Sequence, residues 1–129
     1  MNLSFIGCWR LVSYQRRGED GTVEYPFGER AVGRITYDEA GHVGAQLMQP
    51  GRPTGAPSAE GYIAYFGRYE VDEEARTVTH HVAAALRPDW VGTKLVRAYE
   101  FSGDRLILTA RSGGWTSTIT WERDAGSVS

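Results

Sequence analysis

The chain holds one cysteine in 129 residues, Cys8, which excludes an internal disulfide and any multi-cysteine zinc site. Cys8 lies in an apolar stretch and reads as a buried, inert thiol. Basic charge is not in excess. A net charge of −2 and a pI near 5.9 offer a nucleic-acid backbone no cationic face, so no nucleic-acid partner is expected. No apolar run is long enough to span a bilayer and no charged-then-apolar leader is visible. The expectation is a soluble, cytoplasmic protein with no membrane partner. Also missing are a G-x-S-x-G elbow, a Walker loop, a dinucleotide fingerprint and a Cys–His nucleophile arrangement. Hydrolase and nucleotide-dependent chemistries are therefore unsupported, and no cofactor is expected. Asp and Glu concentrate in turns, which leaves little for carboxylate-pair chemistry.

Aromatic side chains are plentiful, at 12% with four Trp and seven Tyr. They supply core area and also line small-molecule pockets. The length suits one domain, residues 1–129, with a sizeable core. Hydrophobic alternation has period two almost throughout, which indicates antiparallel β-structure. Expected strands run over Cys8–Gln15, Gly33–Asp38, His42–Met48, Arg68–Asp72, Thr77–Leu86, Thr93–Phe101, Arg105–Ala110 and Trp115–Arg123. Thr22–Glu29 reads as an edge or loop segment, because Pro26 cannot donate to a ladder. Gln49–Ala59, with three prolines and two glycines, reads as a surface loop, and the tail from Asp124 as frayed. Tyr62, Tyr65 and Phe66 have i, i+3, i+4 spacing, which predicts a short helix near residues 60–66. Eight or nine strands joined by short turns expose many edges unless the sheet closes. The expected fold is an all-β, antiparallel up-and-down barrel, with a β-sandwich as the alternative.

Two ends of the chain carry a resemblance. "FIGCWRLVSY" contains Gly7-Cys8-Trp9, similar to the G-x-W that opens the first strand of lipocalin-type barrels. "TITWERD" closes the last strand with Trp121 and Arg123, resembling the lipocalin pairing of a first-strand Trp with a late Arg. Longer internal phrases are more specific: "VGRITYDEAGHVGAQLMQPGRP", "GYIAYFGRYEVDEEARTVTHHV" and "PDWVGTKLVRAYEF". Over roughly residues 4 to 123 the chain resembles the bacterial and fungal lipocalin-like domain family of small calycin barrels. It departs from that family in a shorter segment between "QPGRP" and "GYIAYFG". The resemblance implies a barrel with a cavity, and a structural stack of Trp9, Trp121 and Arg123 at its closed end. It does not fix a function, since such barrels host carriers, inhibitors and unrelated enzymes, some of them cofactor-free cyclases or isomerases of secondary metabolism.

Strand parity separates the adjacent histidines of "TVTHHV". Val78, His80, Val82, Ala84 and Leu86 share one face, so His80 is expected inside and His81 outside. On the next strand, Leu95, Arg97, Tyr99 and Phe101 share parity, which sets a guanidinium among aromatics. Arg97 then needs a carboxylate, carbonyls, waters or a ligand. By the same rule Tyr37, Gln46, Tyr69, Trp115 and Ser117 are expected to join His80, Arg97 and Tyr99 around the cavity. His42 shares the inward parity assigned to Gln46, but it begins its strand beside a turn and no carboxylate joins the two histidines, so no metal is expected. Trp90 suits either a lid or a simple cap.

Two functions use these residues. One is binding of a small hydrophobic or amphipathic molecule, anchored by Arg97 and His80 through a carbonyl or acidic group. The alternative is a cofactor-independent cyclase, isomerase or lyase, with His80 as acid/base and Arg97 stabilising developing charge. A filled barrel with a purely structural role is a third reading, and the chain's oligomeric state, a homodimer included, stays open. His80 could equally be a satisfied core histidine, and Arg97 could be bonded to loop carbonyls.

Overall fold

The computed structural model describes residues 5–55 and 59–124. The alternating segments form nine strands: β1 (Gly7–Gly18), β2 (Val23–Glu24), β3 (Val32–Tyr37), β4 (His42–Met48), β5 (Tyr62–Asp72), β6 (Thr77–Ala85), β7 (Lys94–Ser102), β8 (Arg105–Ser112) and β9 (Trp115–Arg123). From β3 to β9 each strand pairs antiparallel with the next, and β1 pairs with both β3 and β9. Eight strands thus close into a barrel, with β2 a short addition beside Arg16 and Arg17 of β1. Closure satisfies the backbone groups that an open sheet would leave at its edges.

Thr22–Glu29 behaves as its proline suggests, since only Val23 and Glu24 pair. The expected helix near 60–66 does not form. Tyr62, Tyr65 and Phe66 belong to β5, paired with β4 from Met48↔Tyr62 to His42↔Arg68. The helical spacing of those three aromatics coexists with a period-two series, Tyr65, Gly67, Tyr69 and Val71. β5 pairs with β4 over residues 62–68 and with β6 over residues 65–72, which gives this segment ladder hydrogen bonds that a single helical turn could not match. Among the described residues the one helical element is a 3₁₀ turn, Pro88–Trp90. In the loop 49–59, residues 56–58 lie outside the described residues, as do residues 125–129 of the tail.

Two bulges re-phase the barrel's interior. In β1 the pairing with β9 steps from Leu11↔Trp121 to Ser13↔Thr120, leaving Val12 over. Inward residues change from Trp9 and Leu11 to Tyr14, which pairs with Ile119. In β6 the pairing with β5 steps from Gly67↔Val82 to Phe66↔Ala84, leaving Ala83 over. Ala84 and Leu86, expected inside with His80, are therefore turned out, and Ala85 packs on the core instead. One extra residue reverses every side chain beyond it. Gly67 permits the close approach at this bulge: a Cβ there would lie 1.8 Å from the His81 carbonyl oxygen.

One end of the barrel is closed by Phe5, fully buried just before β1. Its ring meets Tyr37, Tyr99 and Phe101 edge-on, with centroids 5.2, 5.0 and 5.0 Å away. Edge-to-face aromatic pairs add to the area they bury. Trp9 donates its indole N–H to the Phe5 carbonyl at 3.0 Å. The Arg123 guanidinium lies 4.1 Å over the Trp9 ring and donates to the Ile6 carbonyl at 2.9 Å. Gly7 makes room for it: φ is +132°, and a Cβ would stand 2.9 Å from Arg123 Nη1. The glycine of G-x-W is thus a seat for the arginine.

Candidate ligand-binding site

Away from the Phe5 plug the barrel encloses a cavity of about 450 Å³. This falls within the roughly 300–1,000 Å³ usual for small-molecule sites. Its walls are largely apolar, including Ile35 of β3, Leu47 of β4, Leu108 of β8 and Ile119 of β9. Trp90, from the 3₁₀ turn, lines it too, and its ring packs on Tyr65 at 6.0 Å. Polar groups are few: Tyr14, Tyr65, His80, Arg97, Ser112 and Ser117. No acidic side chain lines the cavity among the described residues.

His80 and Arg97 reach this space from adjacent strands. His80 stands opposite Leu95, and Arg97 opposite Val78. The imidazole, 1% exposed, is clamped by two phenols. Tyr37 Oη lies 2.7 Å from Nε2 and Tyr65 Oη lies 2.7 Å from Nδ1. Burial pushes the His80 pKa down to about 3, helped by the positive charge of Arg97 and by His81, so the ring is neutral near pH 7. Burial likewise raises Tyr65 to about 12 against the opposing pull of Arg97, and raises Tyr37 well above the ordinary tyrosine range.

Arg97 is partly buried and its described hydrogen bond is weak, from Nη1 to the adjacent Val96 carbonyl at 3.3 Å. The ion pairs among the described residues belong to other groups, such as Arg10–Glu122, Arg16–Glu24 and His81–Glu70. Arg97 therefore faces a carboxylate-free cavity. Trp121, at the cavity wall, has a buried indole N–H with no hydrogen-bond partner among the described residues. The polar character of the site is thus weighted toward donors.

The family model for the lipocalin-like domain matches residues 6–124. The chain belongs to that family. Over 84 residues it is 32% identical to the 4'-hydroxy-3'-methoxypropiophenone carrier protein of Aspergillus oryzae, a match taking in 50% of this chain and 76% of that protein.

Within this lipocalin-like barrel the residues expected around the cavity separate into groups. His80, Arg97 and Ser117 line it. Tyr37 is bonded to His80 and does not line the cavity itself. Tyr69 and Tyr99 belong to the closed end, where Tyr69 donates to the Asp38 carbonyl at 3.0 Å and Tyr99 packs on Phe5. Trp115 lies at the end of β9, under the Arg16 guanidinium at 4.3 Å, and does not line the cavity. Gln46 faces outward, because β4 buries Val43, Ala45 and Leu47 instead. The same inversion turns His42 out, beside Asp38 and Arg68. Of the closed-end set, Trp9 and Arg123 stack as the resemblance implies, whereas Trp121 also forms cavity wall.

Tyr65 and Tyr14 line the cavity without having been expected to, and Trp90, which suited either a lid or a cap, lines it as well. Tyr65 was recoverable from the alternation Tyr65, Gly67, Tyr69, Val71, with Arg68 and Glu70 between. Tyr14 was hidden by the Val12 bulge, which nothing in "WRLVSYQ" announces.

Proposed function

We propose that this lipocalin-like protein is a carrier for a small, largely apolar molecule bearing a carbonyl or acidic oxygen, anchored by Arg97. The observation that carries this reading is the Arg97 guanidinium in an apolar cavity whose described walls contain no carboxylate. A ligand oxygen would supply the partner that the protein withholds. The likeness to a protein named as a carrier of 4'-hydroxy-3'-methoxypropiophenone, an aryl ketone, supports the same class of ligand. Acid/base catalysis by His80 is disfavoured. Both ring nitrogens are engaged by tyrosines, and a base with a pKa of about 3 is poorly matched to proton abstraction near neutrality.

Native mass spectrometry of freshly purified protein tests for a co-purified molecule. Titration of tryptophan fluorescence with 4'-hydroxy-3'-methoxypropiophenone then gives an affinity. A charge-assisted hydrogen bond contributes roughly 1.5–3 kcal/mol, so Arg97→Met should weaken binding about tenfold or more. Unchanged affinity in a folded Arg97→Met protein would remove Arg97 as the anchor.

A further inference from the structure

The Tyr37–His80–Tyr65 chain has a direction that follows from counting its protons. A neutral imidazole carries one N–H and one lone pair. With a phenol 2.7 Å from each nitrogen, one phenol must donate to the ring and the other must accept from it. The accepting phenol keeps its own proton for a further partner. Tyr37 is 1% exposed, and His80 Nε2 is its hydrogen-bond partner among the described residues. If Tyr37 were the acceptor, its proton would be buried unpaired, at a cost of about 1–3 kcal/mol. Tyr65 lines the cavity, where a ligand can take up its proton.

We propose that Tyr37 donates to His80 Nε2, that His80 Nδ1–H donates to Tyr65, and that the Tyr65 hydroxyl is thereby fixed as a hydrogen-bond donor to the ligand. His80 is then a positioning residue and does not contact the ligand through either nitrogen. Tyr65 and Arg97 together offer donors to one acceptor oxygen, and each hydrogen bond in the relay polarises the next. Arg97 lies close enough for its charge to act on both Tyr65 and His80. The site therefore selects a ketone or carboxylate oxygen over an equally shaped molecule that lacks one. This selection rests on the carrier reading, whereas the direction of the relay does not.

The relay is read without ligand from the ¹⁵N shifts of the His80 ring, obtained by long-range proton–nitrogen correlation. The Nδ1–H tautomer is expected near pH 7, and an Nε2–H tautomer or an imidazolium overturns the relay. The ligand contact is read with propiophenone and propylbenzene, which share a skeleton and differ by the carbonyl oxygen. The wild type should prefer the ketone. Tyr65→Phe should reduce that preference about tenfold while leaving propylbenzene affinity unchanged. Tyr37→Phe should release the tautomer, visible in the same ¹⁵N spectrum. Retention of the full preference by Tyr65→Phe overturns the contact while leaving the carrier reading intact. A wild type that binds neither compound, or both equally, overturns the carrier reading and the contact together.

Discussion

Two inward arginines occupy the two ends of this barrel, and their surroundings differ. Arg123 lies over Trp9 and donates to the Ile6 carbonyl, on a seat cleared by Gly7. Arg97 has the weak bond to Val96 and an acid-free cavity before it. The closed end spends its guanidinium on the fold itself. The cavity end leaves its guanidinium partly buried and under-paired, facing walls without a carboxylate among the described residues. His80 stands at the border: Tyr37, on one side, packs on the Phe5 plug, and Tyr65, on the other, faces the cavity. A partly buried cation is therefore not one category. Its role is decided by whether protein oxygens and rings complete its shell.

The largest effect that would break this contrast is at the plug. Trp9→Ala removes the ring beneath Arg123 and should cost about 3–5 kcal/mol, measured by urea unfolding. A loss under about 1 kcal/mol would mean that the plug does not hold this end together.

Next comes pH. The folded protein holds His80 neutral down to about pH 3, whereas an unfolded histidine takes up its proton near 6.5. Between those values the unfolded chain binds more protons, so this contribution to stability is complete above 6.5 and declines as pH falls towards 3. The slope approaches about 1.4 kcal/mol per pH unit. Exposed Asp20 and Asp38, whose carboxyls are lowered by hydrogen bonds from the Thr22 and His42 backbone amides, add a loss of the same sign at the acid end. Their share remains in His80→Gln, so the difference between the two proteins isolates the imidazole. Parallel stability curves from pH 7 to 4.5 would show that His80 is not the sensor.

The smallest effect is also the sharpest. Arg123→Met should cost about 1–2 kcal/mol, from a cation–π contact and a hydrogen bond. Arg97→Met should change stability by less than about 0.5 kcal/mol or raise it, since it exchanges an under-paired cation for an apolar side chain. Equal losses at both arginines would erase the distinction.

The architecture was legible because period-two alternation survives in most strands, and "GCW" with "WER" marked the closed end. His80 and Arg97 were legible because each sits between larger apolar residues of its own parity. The failures have physical causes. On β4 the set His42, Gln46 and Met48 competed with Val43, Ala45 and Leu47, whose small and apolar side chains are the ones buried. The aromatics at 62, 65 and 66 fit two periods at once, and pairing with β4 and β6 selected the strand. Beyond each bulge the parity argument inverts, which hid Tyr14 and misplaced Ala84 and Leu86.

Those bulges carry a consequence for aligning relatives. Val12 and Ala83 are surplus residues: removing either would regularise its strand while Trp9 and Tyr14, or His80 and Ala85, still face inward. A one-residue gap at either position should therefore be read as the loss of a bulge. The cavity positions on both sides of such a gap remain equivalent, although their spacing along the chain has changed.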